Sequence, residues 1–556
     1  MEAGRRFLYD SIMPAVSLEK AIELAEQLMS RGQPAEAERV YRQILIIAPQ
    51  NAFVLNRLGI CVGQSARLAE ARDIFRQALE IDPKFVDAWA NLSLACERLE
   101  ELDGAIAARR KAIELHENNA DHWHRLGTCL GKKSELSVAI ESLRKSIELD
   151  PNVNAVHHDL VLALSRDGQQ EAAEEAAFLR FEAIRKVNAE MIRPVADSFK
   201  SAGNFQRATD IWRRVVEIDP SCSEAHGQLA MCLITLGDYE NGWRLYESRW
   251  QCDSFKNNSR RNPARQWGRE PVGRPDVSGK TILIYSEQGI GDTIQFVRYA
   301  TLFAERGARV IVQCHWPIKS LLERCAGVRL VYGTHEELPN YDWHIPVMSL
   351  PHVFETRAET IPAEVPYISV DPSRRKSWAG RVEVAAPTGT LLRVGIAWAG
   401  SPKHKNDANR SIHPDLLAPL ADVDGVVFFS LQKANENEKA AMQPVRPRLA
   451  DFTSSLCDFA ETAALIDHLD LVICADTAVA HLAGATGKPV WTLLPFVPDF
   501  RWGLRGSQTS WYPTMRLFRQ PKPRDWTSVM EMVVEALKAR ADEVTQGENV
   551  RRFPTI

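Results

Sequence analysis

Residues 281–299 read TILIYSEQGIGDTIQFVRY, and the fold of the second half of the chain hangs on how this stretch is read. Thr281–Tyr285 is a short apolar, β-branched run suited to a buried parallel strand. Gly289 and Gly291 allow a sharp turn and a close backbone approach to a ligand. Asp292 and Thr293 then open a helix whose apolar face includes Ile294, Phe296 and Val297. Free N–H groups at a helix start attract anions. An acid here also stands at the carboxyl end of a parallel strand, where open α/β sheets place their ligands. A dinucleotide fingerprint does not fit. Its third glycine is replaced by Ile294, and the next strand, Arg309–Cys314, runs into His315 rather than an acid. No Gly-Lys-Ser/Thr is present, so this is no P-loop. Two readings stay open: a small-ligand site of the sugar-nucleotide kind, or a structural strand-to-helix turn.

Downstream, strands alternate with helices. After the strand at 309–314 come a helix at 317–325 and strands at 328–331 and 343–347, a Rossmann-like half. Residues 371–390 read as a second linker. A second half follows, with strands at 392–398, 426–431, 471–475 and 490–494 and helices at 414–421 and 458–470. Two such halves facing each other make a cleft, a favoured ligand site. The strand at 471–475 runs straight into Asp476-Thr477-Ala478-Val479-Ala480-His481. Asp476 and Thr477 either cap a helix with His481 packed one turn in, or present N–H groups and a hydroxyl to a diphosphate. Lys433 at a strand end and Arg410 in a polar loop either neutralise phosphate charge or are plain surface cations. The run 525–541 is amphipathic and is expected to pack back onto this half, with a loose tail beyond it.

Upstream, the first 250 residues repeat. Pro49, Pro83, Pro151 and Pro220 are separated by 34, 68 and 69 residues, a period of about 34 that fits the tetratricopeptide pattern. A small residue returns at Ala37, Ala71, Ala105, Ala139, Ala173 and Ala208, with a large one four further on at Tyr41, Phe75, Leu143 and Trp212. The small side chain lets two helices approach, and the large one fills the next groove. Six or seven units span 17–250; those at 152–187 and 188–222 are degenerate, and GDYENGWRLYESRW is a capping unit. The array is either scaffold alone or a concave face for a protein partner, with Asn56, Asn91 and Arg125 exposed as candidates to hold a peptide backbone. Residues 251–279, rich in Arg, Pro, Asn and Gly, read as a linker that packs through Trp267.

Composition narrows the class. A chain of 556 residues holds about three domains, and a net charge of −4 gives no field for nucleic acid. The ten cysteines are scattered without a CxxC pair, as expected of reduced thiols in a cytosolic protein. Cys61, Cys129 and Cys232 share one position of the repeat and are expected to be small core residues. No window approaches a membrane span, and the N-terminus does not read as a signal peptide.

GIGD after a strand, DTAVAHLAGATGKPVW at 476–491 and Trp-Tyr-Pro at 511–513 together resemble the heptosyltransferase-like glycosyltransferases of the GT-B class. The chain looks like the bacterial subfamily in which that domain follows tetratricopeptide repeats. It is also similar to the protein O-linked N-acetylglucosamine transferases. The resemblance implies an all-α superhelix at 17–250, a linker at 251–279 and a GT-B fold. Its acceptor-side half would cover 280–385 and its nucleotide-sugar half 390–541. It implies a nucleotide-sugar donor and no metal cofactor. Asp292 matches the acid proposed as base. Asp476, Thr477 and His481 match the donor-diphosphate motif, and Gln432 and Lys433 resemble a nucleotide-contacting region. Gly291 and Arg410 complete the donor-side candidates. Two departures stand out: Ala478 replaces the usual glycine, and Asn409-Arg410-Ser411 replaces a Lys-Arg-Trp segment. The donor therefore need not be ADP-heptose, and CMP-, UDP- and ADP-linked sugars stay open.

By this resemblance the expected reaction is inverting transfer of a sugar to a Ser or Thr hydroxyl of a protein held by the repeats. The best-fitting case is flagellin taking a nonulosonic (pseudaminic-type) sugar in the cytoplasm. The alternatives are a heptosyltransferase-type glycolipid or polysaccharide enzyme and a non-catalytic tetratricopeptide adaptor.

Overall fold

The computed structural model describes residues 17–184, 189–252, 262–268, 273–401, 406–433 and 449–547. The chain forms two compact units that divide between Ser198 and Phe199.

The first unit is helical throughout its described residues. Its antiparallel pairs are Leu18–Ser30 with Pro34–Ile47, Ala52–Gln64 with Leu68–Ile81, Val86–Arg98 with Leu102–Leu115, Ala120–Lys132 with Leu136–Leu149, and Asn154–Arg166 with Gln170–Ile184. The helix Ala189–Ser201 crosses the division. Ser17, Asn51 and Asn119 cap first helices by accepting from backbone N–H groups. The repeating alanines and Cys61, Cys129 and Cys232 are buried as expected. Glycine shows why the small-large rule holds: a Cβ on Gly59 would lie 2.5 Å from the Phe75 ring, and one on Gly127 2.6 Å from Leu143. The pair at 154–184 folds like its neighbours although its sequence signal is weak. Residues 185–188, between this pair and the next helix, lie outside the described residues.

The concave-face expectation needs correction. Asn56 is buried, not exposed, because Asn91 of the next first helix covers it and donates from Nδ2 to its Oδ1 at 3.0 Å. Arg125 is half-buried and pairs with Asp121 one turn back at 3.0 Å.

The second unit contains the last helices, Phe205–Ile218, Ser223–Thr235 and Tyr239–Tyr246, followed by two wholly parallel sheets. The first has strands β1 (Thr281–Tyr285), β2 (Arg309–Cys314), β3 (Val328–Gly333) and β4 (Trp343–Pro346), in the order β3-β2-β1-β4. The second has β5 (Leu392–Ala397), β6 (Val426–Ser430), β7 (Leu449–Asp451), β8 (Leu471–Ala475), β9 (Val490–Leu494) and β10 (Met515–Arg519), in the order β10-β9-β8-β5-β6-β7. An all-α superhelix followed by two Rossmann-like parallel sheets is the expected fold class, and it is consistent with a GT-B domain. The capping pair belongs to this unit's core: Trp243 packs edge-on to Phe296 at 5.7 Å and Phe500 at 5.8 Å. Trp267 anchors the described part of the 251–279 segment against Phe303, while 253–261 and 269–272 lie outside the described residues.

Three local expectations change. The stretch 371–390 is no linker: Pro372–Ala385 is a helix, capped by Asp371 and anchored by buried Trp378 and Val382. The helix expected to open at Asp292 is two helices, Ile290–Phe296 and Ala300–Glu305, joined by a 3-10 turn. The C-terminal helix packs on the second sheet as expected but runs from Trp526 to Thr545, with 548–556 outside the described residues.

One repeat slot breaks the core rule. Arg109 occupies the position that Tyr41, Phe75, Leu143 and Trp212 fill elsewhere, and it is 2% exposed. It reaches His122 Nδ1 at 3.2 Å and the Ala90 carbonyl at 3.3 Å, and no carboxylate pairs with it among the described residues. A buried cation without a counter-ion costs more than an apolar side chain of similar volume. Arg109→Met is expected to raise stability by about 1–3 kcal/mol. The check is the urea midpoint at unchanged m-value; a lower midpoint refutes this account of the slot.

Candidate functional site

In both sheets the strand order reverses beside the middle strand. β1 has β2 on one side and β4 on the other, and β5 has β6 on one side and β8 on the other. Ligands of open parallel sheets bind at the carboxyl ends of the strands flanking such a reversal. The GIGD turn follows β1 and the Asp476–His481 stretch follows β8, so each lies at its sheet's switch point.

The two turns touch. A Cβ on Gly291 would lie 2.9 Å from the His481 ring and 3.6 Å from the Ala478 Cα. Gly291 thus lets the helix Ile290–Phe296 lie against the helix Ala478–Ala485. Asp292, at the third position of its helix, accepts from the Gly289 N–H through Oδ2 at 2.9 Å. Its Oδ1 takes a hydrogen bond from Arg501 Nη2 at 2.6 Å. Both readings of Asp292 therefore have a physical footing: it caps its own helix, and it presents a carboxylate to a cation of the second half.

Arg501 is the centre of the cluster and is nine-tenths buried. It sits in the 3-10 turn Phe500–Trp502 that follows β9. Besides Asp292, its Nη1 meets His481 Nε2 at 3.2 Å, and its Nε lies 3.0 Å from Asp499 Oδ1. The Nε contact is close in charge but misaligned, since Nε has no hydrogen-bond acceptor.

A guanidinium has only donors, which fixes the direction of the hydrogen bonds beyond it. His481 Nε2 must accept, so Nδ1 carries the proton and donates to the Tyr512 hydroxyl at 3.0 Å. Burial, then Arg501 and Arg298, hold the imidazole well below its usual range, so it is neutral at pH 7. Tyr512 and Tyr367 continue the chain to the Ile294 carbonyl, with buried Arg298 donating to Tyr367 at 3.0 Å. In this arrangement His481 holds Arg501 in place.

Asp476 is buried at the end of β8. Burial first, then Asp499, push its carboxyl up from 3.8 to about 6, while Arg501 and Arg410 oppose the rise. The Arg410 guanidinium packs where a Cβ on Gly400 would stand and reaches the Asp476 carbonyl at 3.4 Å. Thr477 caps its helix by accepting from the Val479 N–H at 3.3 Å. Gln432 is buried and accepts from the Ala399 N–H at 3.0 Å, tying the ends of β5 and β6 together. Lys433 stands exposed beyond it, next to residues 434–448, which lie outside the described residues, as does the 402–405 part of the loop before Arg410. Asp292, Gly291, His481, Asp476 and Arg410 thus join one cluster through Arg501 and the Asp476 backbone.

A second buried arginine holds the GIGD turn from the other side. Arg249, from the capping unit, donates to Glu287 at 2.8 Å, Glu247 at 2.6 Å and Ser349 at 2.7 Å. Glu287 directly precedes Gln288 and the GIGD glycines, and its side chain is fully buried. Gln288 and the Tyr246 hydroxyl meet at 2.8 Å.

Sequence reasoning missed Arg501, Arg249 and Glu287. A signal existed for Arg501: Pro-Asp-Phe-Arg-Trp follows a strand at its carboxyl end. Its partner lies 209 residues away, so the pairing itself has no local trace.

Comparison with known proteins fits this anatomy. Residues 416–503 match the glycosyltransferase family 9 (heptosyltransferase) model, which takes in Gln432, Asp476, His481 and Arg501 but not Asp292. Residues 22–84, 63–120 and 120–153 match tetratricopeptide repeat models. The chain therefore carries tetratricopeptide repeats and a glycosyltransferase family 9 domain. It is 27% identical over 343 residues to Protein FlbA of Caulobacter vibrioides, covering 56% of this chain and 54% of the relative. The chain thus spans about half the length of that relative. Among solved structures it is similar to MamA (41-end) from Desulfovibrio magneticus RS-1, at 19% identity, 30% and 95% coverage and a TM-score of 0.29. It is also similar to YrrB, described as a TPR protein with an unusual peptide-binding site, at 18% identity, 33% and 95% coverage and a TM-score of 0.29.

Two outcomes follow from the buried charges. Arg249→Ala leaves Glu287 buried without its cation and is expected to cost about 3–5 kcal/mol. The double variant with Glu287→Gln recovers much of that loss, and additive losses in chemical denaturation would refute the pairing. Asp476 carries the opposite sign. Its folded value lies above its unfolded one, so the cost of its charge is absent at low pH, grows through the interval from 3.8 to about 6 and is full above it. Asp476→Asn is therefore expected to be roughly 2–3 kcal/mol more stable than wild type near pH 7.5 and equal to it near pH 3. A difference that does not change with pH would refute the assignment.

Proposed function

We propose that the chain transfers a sugar from a nucleotide-sugar donor to a Ser or Thr hydroxyl of a protein that its repeats hold. The observation that supports this reading most is the meeting of the Asp292 turn and the Asp476–His481 helix start at the switch points of two parallel sheets. The family 9 match supports a glycosyltransferase, and the repeats support a protein acceptor.

In this reading the acceptor oxygen attacks the anomeric carbon while its proton passes to the Asp292 carboxylate. The bond from that carbon to the donor phosphate breaks, the phosphate leaves with the electron pair, and the configuration inverts. Arg410, Lys433 and the N–H groups at Thr477–Ala478 meet the charge that builds on the leaving phosphate, without a metal. Gly291 keeps the two turns close enough for acid and leaving group to share one site, and Gln432 shapes the nucleotide side. Flagellin in the cytoplasm and a nonulosonic sugar, carried as its CMP derivative, are the acceptor and donor put forward. The heptosyltransferase description of family 9 favours a second reading, in which the acceptor is a glycolipid or polysaccharide.

The test is the intact mass of flagellin co-expressed with this chain and a nonulosonic-acid pathway. A sugar-sized gain, lost in Asp292→Ala, is expected. No gain with wild type, despite a stable flagellin complex, would overturn this donor and acceptor.

A further inference from the structure

The Asp292–Arg501 pair engages the carboxylate that the proposed reaction would use as its base. Asp292 Oδ1 accepts from Arg501 at 2.6 Å and Oδ2 accepts from the Gly289 N–H at 2.9 Å, so each oxygen already has a donor. Each oxygen keeps a second lone pair, but the shorter bond ties the carboxylate to a cation carried by the other half. Arg501 in turn has a misfit in its surroundings. Nη2 and Nη1 have partners, yet Nε, equally buried, has no aligned acceptor although Asp499 lies 3.0 Å away. His481 supplies a neutral accepting nitrogen, so the balance of the guanidinium's charge rests on Asp499, Asp292 and Asp476.

The backbone beneath Arg501 is braced separately from its side chain. Arg519, at the end of β10, donates to the carbonyls of Trp502 at 2.7 Å, Gly503 at 2.9 Å and Gly506 at 2.9 Å. His481 stacks on Trp502 at 5.4 Å. The arginine can change partners without the loss of the turn that carries it.

We propose that Arg501 is a phosphate anchor and that its ion pair with Asp292 is a placeholder, so that a donor phosphate takes over the guanidinium and frees the Asp292 carboxylate for the acceptor proton. This rests on the reading of Asp292 as the base. A planar guanidinium binds two phosphate oxygens side by side, which a single carboxylate oxygen at Nη2 does not match. The carboxylate and the phosphate compete for one cation, so the apparent phosphate affinity is lowered by the fraction of molecules in which the pair is closed. The competition also gives an order: donor before acceptor.

The competition has a signature that a purely structural ion pair lacks. Inorganic pyrophosphate is titrated calorimetrically into the full chain as wild type, Arg501→Gln and Asp292→Asn. Arg501→Gln is expected to weaken binding by at least tenfold, and Asp292→Asn to strengthen it by roughly tenfold. If both variants weaken binding, if Asp292→Asn binds no tighter than wild type, or if neither wild type nor Asp292→Asn binds, the proposal is overturned. Should Arg501→Gln fail to unfold cooperatively, Arg501→Lys takes its place, with intermediate weakening expected and wild-type affinity counting against the proposal. The substrate reading fails independently: no mass gain on flagellin, with the opposite-signed pyrophosphate response intact, rejects that acceptor and donor and leaves the anchor standing.

Discussion

Arg501 is nine-tenths buried, and a cation taken so far out of water is tolerable only with carboxylates or good acceptors close by. Asp499 comes from its own turn, but Asp292 comes from the other sheet and His481 from the helix after β8. To satisfy one guanidinium, three separate elements must converge. The requirement also fixes detail. A donor-only group forces His481 to accept, which sets the imidazole tautomer and so the direction of the bonds through Tyr512 and Tyr367. Glycine at 291 then becomes a packing necessity, because a Cβ there would strike the histidine ring that Arg501 holds.

The GIGD turn is clamped by charge at both ends. Arg249 holds Glu287 before the glycines, and Arg501 holds Asp292 after them. Glycines make a turn that bends easily and loses much entropy when fixed. Backbone preference alone does not position such a turn, and side chains from distant elements must do it. One of those elements is the capping unit of the repeats. Its Trp243 also lies in the aromatic cluster with Phe296, on the helix that the turn opens, and with Phe500, beside Arg501.

Much of this was legible in the sequence where the physics is local. The strands at 281–285, 309–314, 471–475 and 490–494 are mostly apolar runs, as parallel sheets buried on both faces require. The repeat was legible because alanine and a large partner recur in register. The misses have local causes too. The helix Pro372–Ala385 buries only Trp378 and Val382, so its charged sequence shows no apolar stripe, and only Asp371-Pro372 marks its start. β7 is three residues of an edge, and β10 carries arginines at its second and last positions. Of the candidate site, the strand-end residues Asp292, Asp476, Thr477 and His481 could be named from position. The pairing of Arg501 with them could not, since nothing near it in sequence announces a carboxylate 209 residues away.

The two clamps differ in what they permit. Glu287 is closed in by Arg249, by the Met348 N–H at 3.2 Å and by complete burial, and nothing in that setting invites exchange. Asp292 stays partly open, and the cation beside it keeps one N–H without an aligned acceptor. A fixed turn needs one pair that never opens; chemistry at the same turn needs one that can. The arrangement gives each task its own arginine, one from the repeats and one from the turn after β9. Where a transferase fragment is cut then matters physically. A boundary at 251 removes Arg249 while leaving Glu287 buried, whereas a boundary at 199 keeps both clamps and follows the division that the fold itself makes.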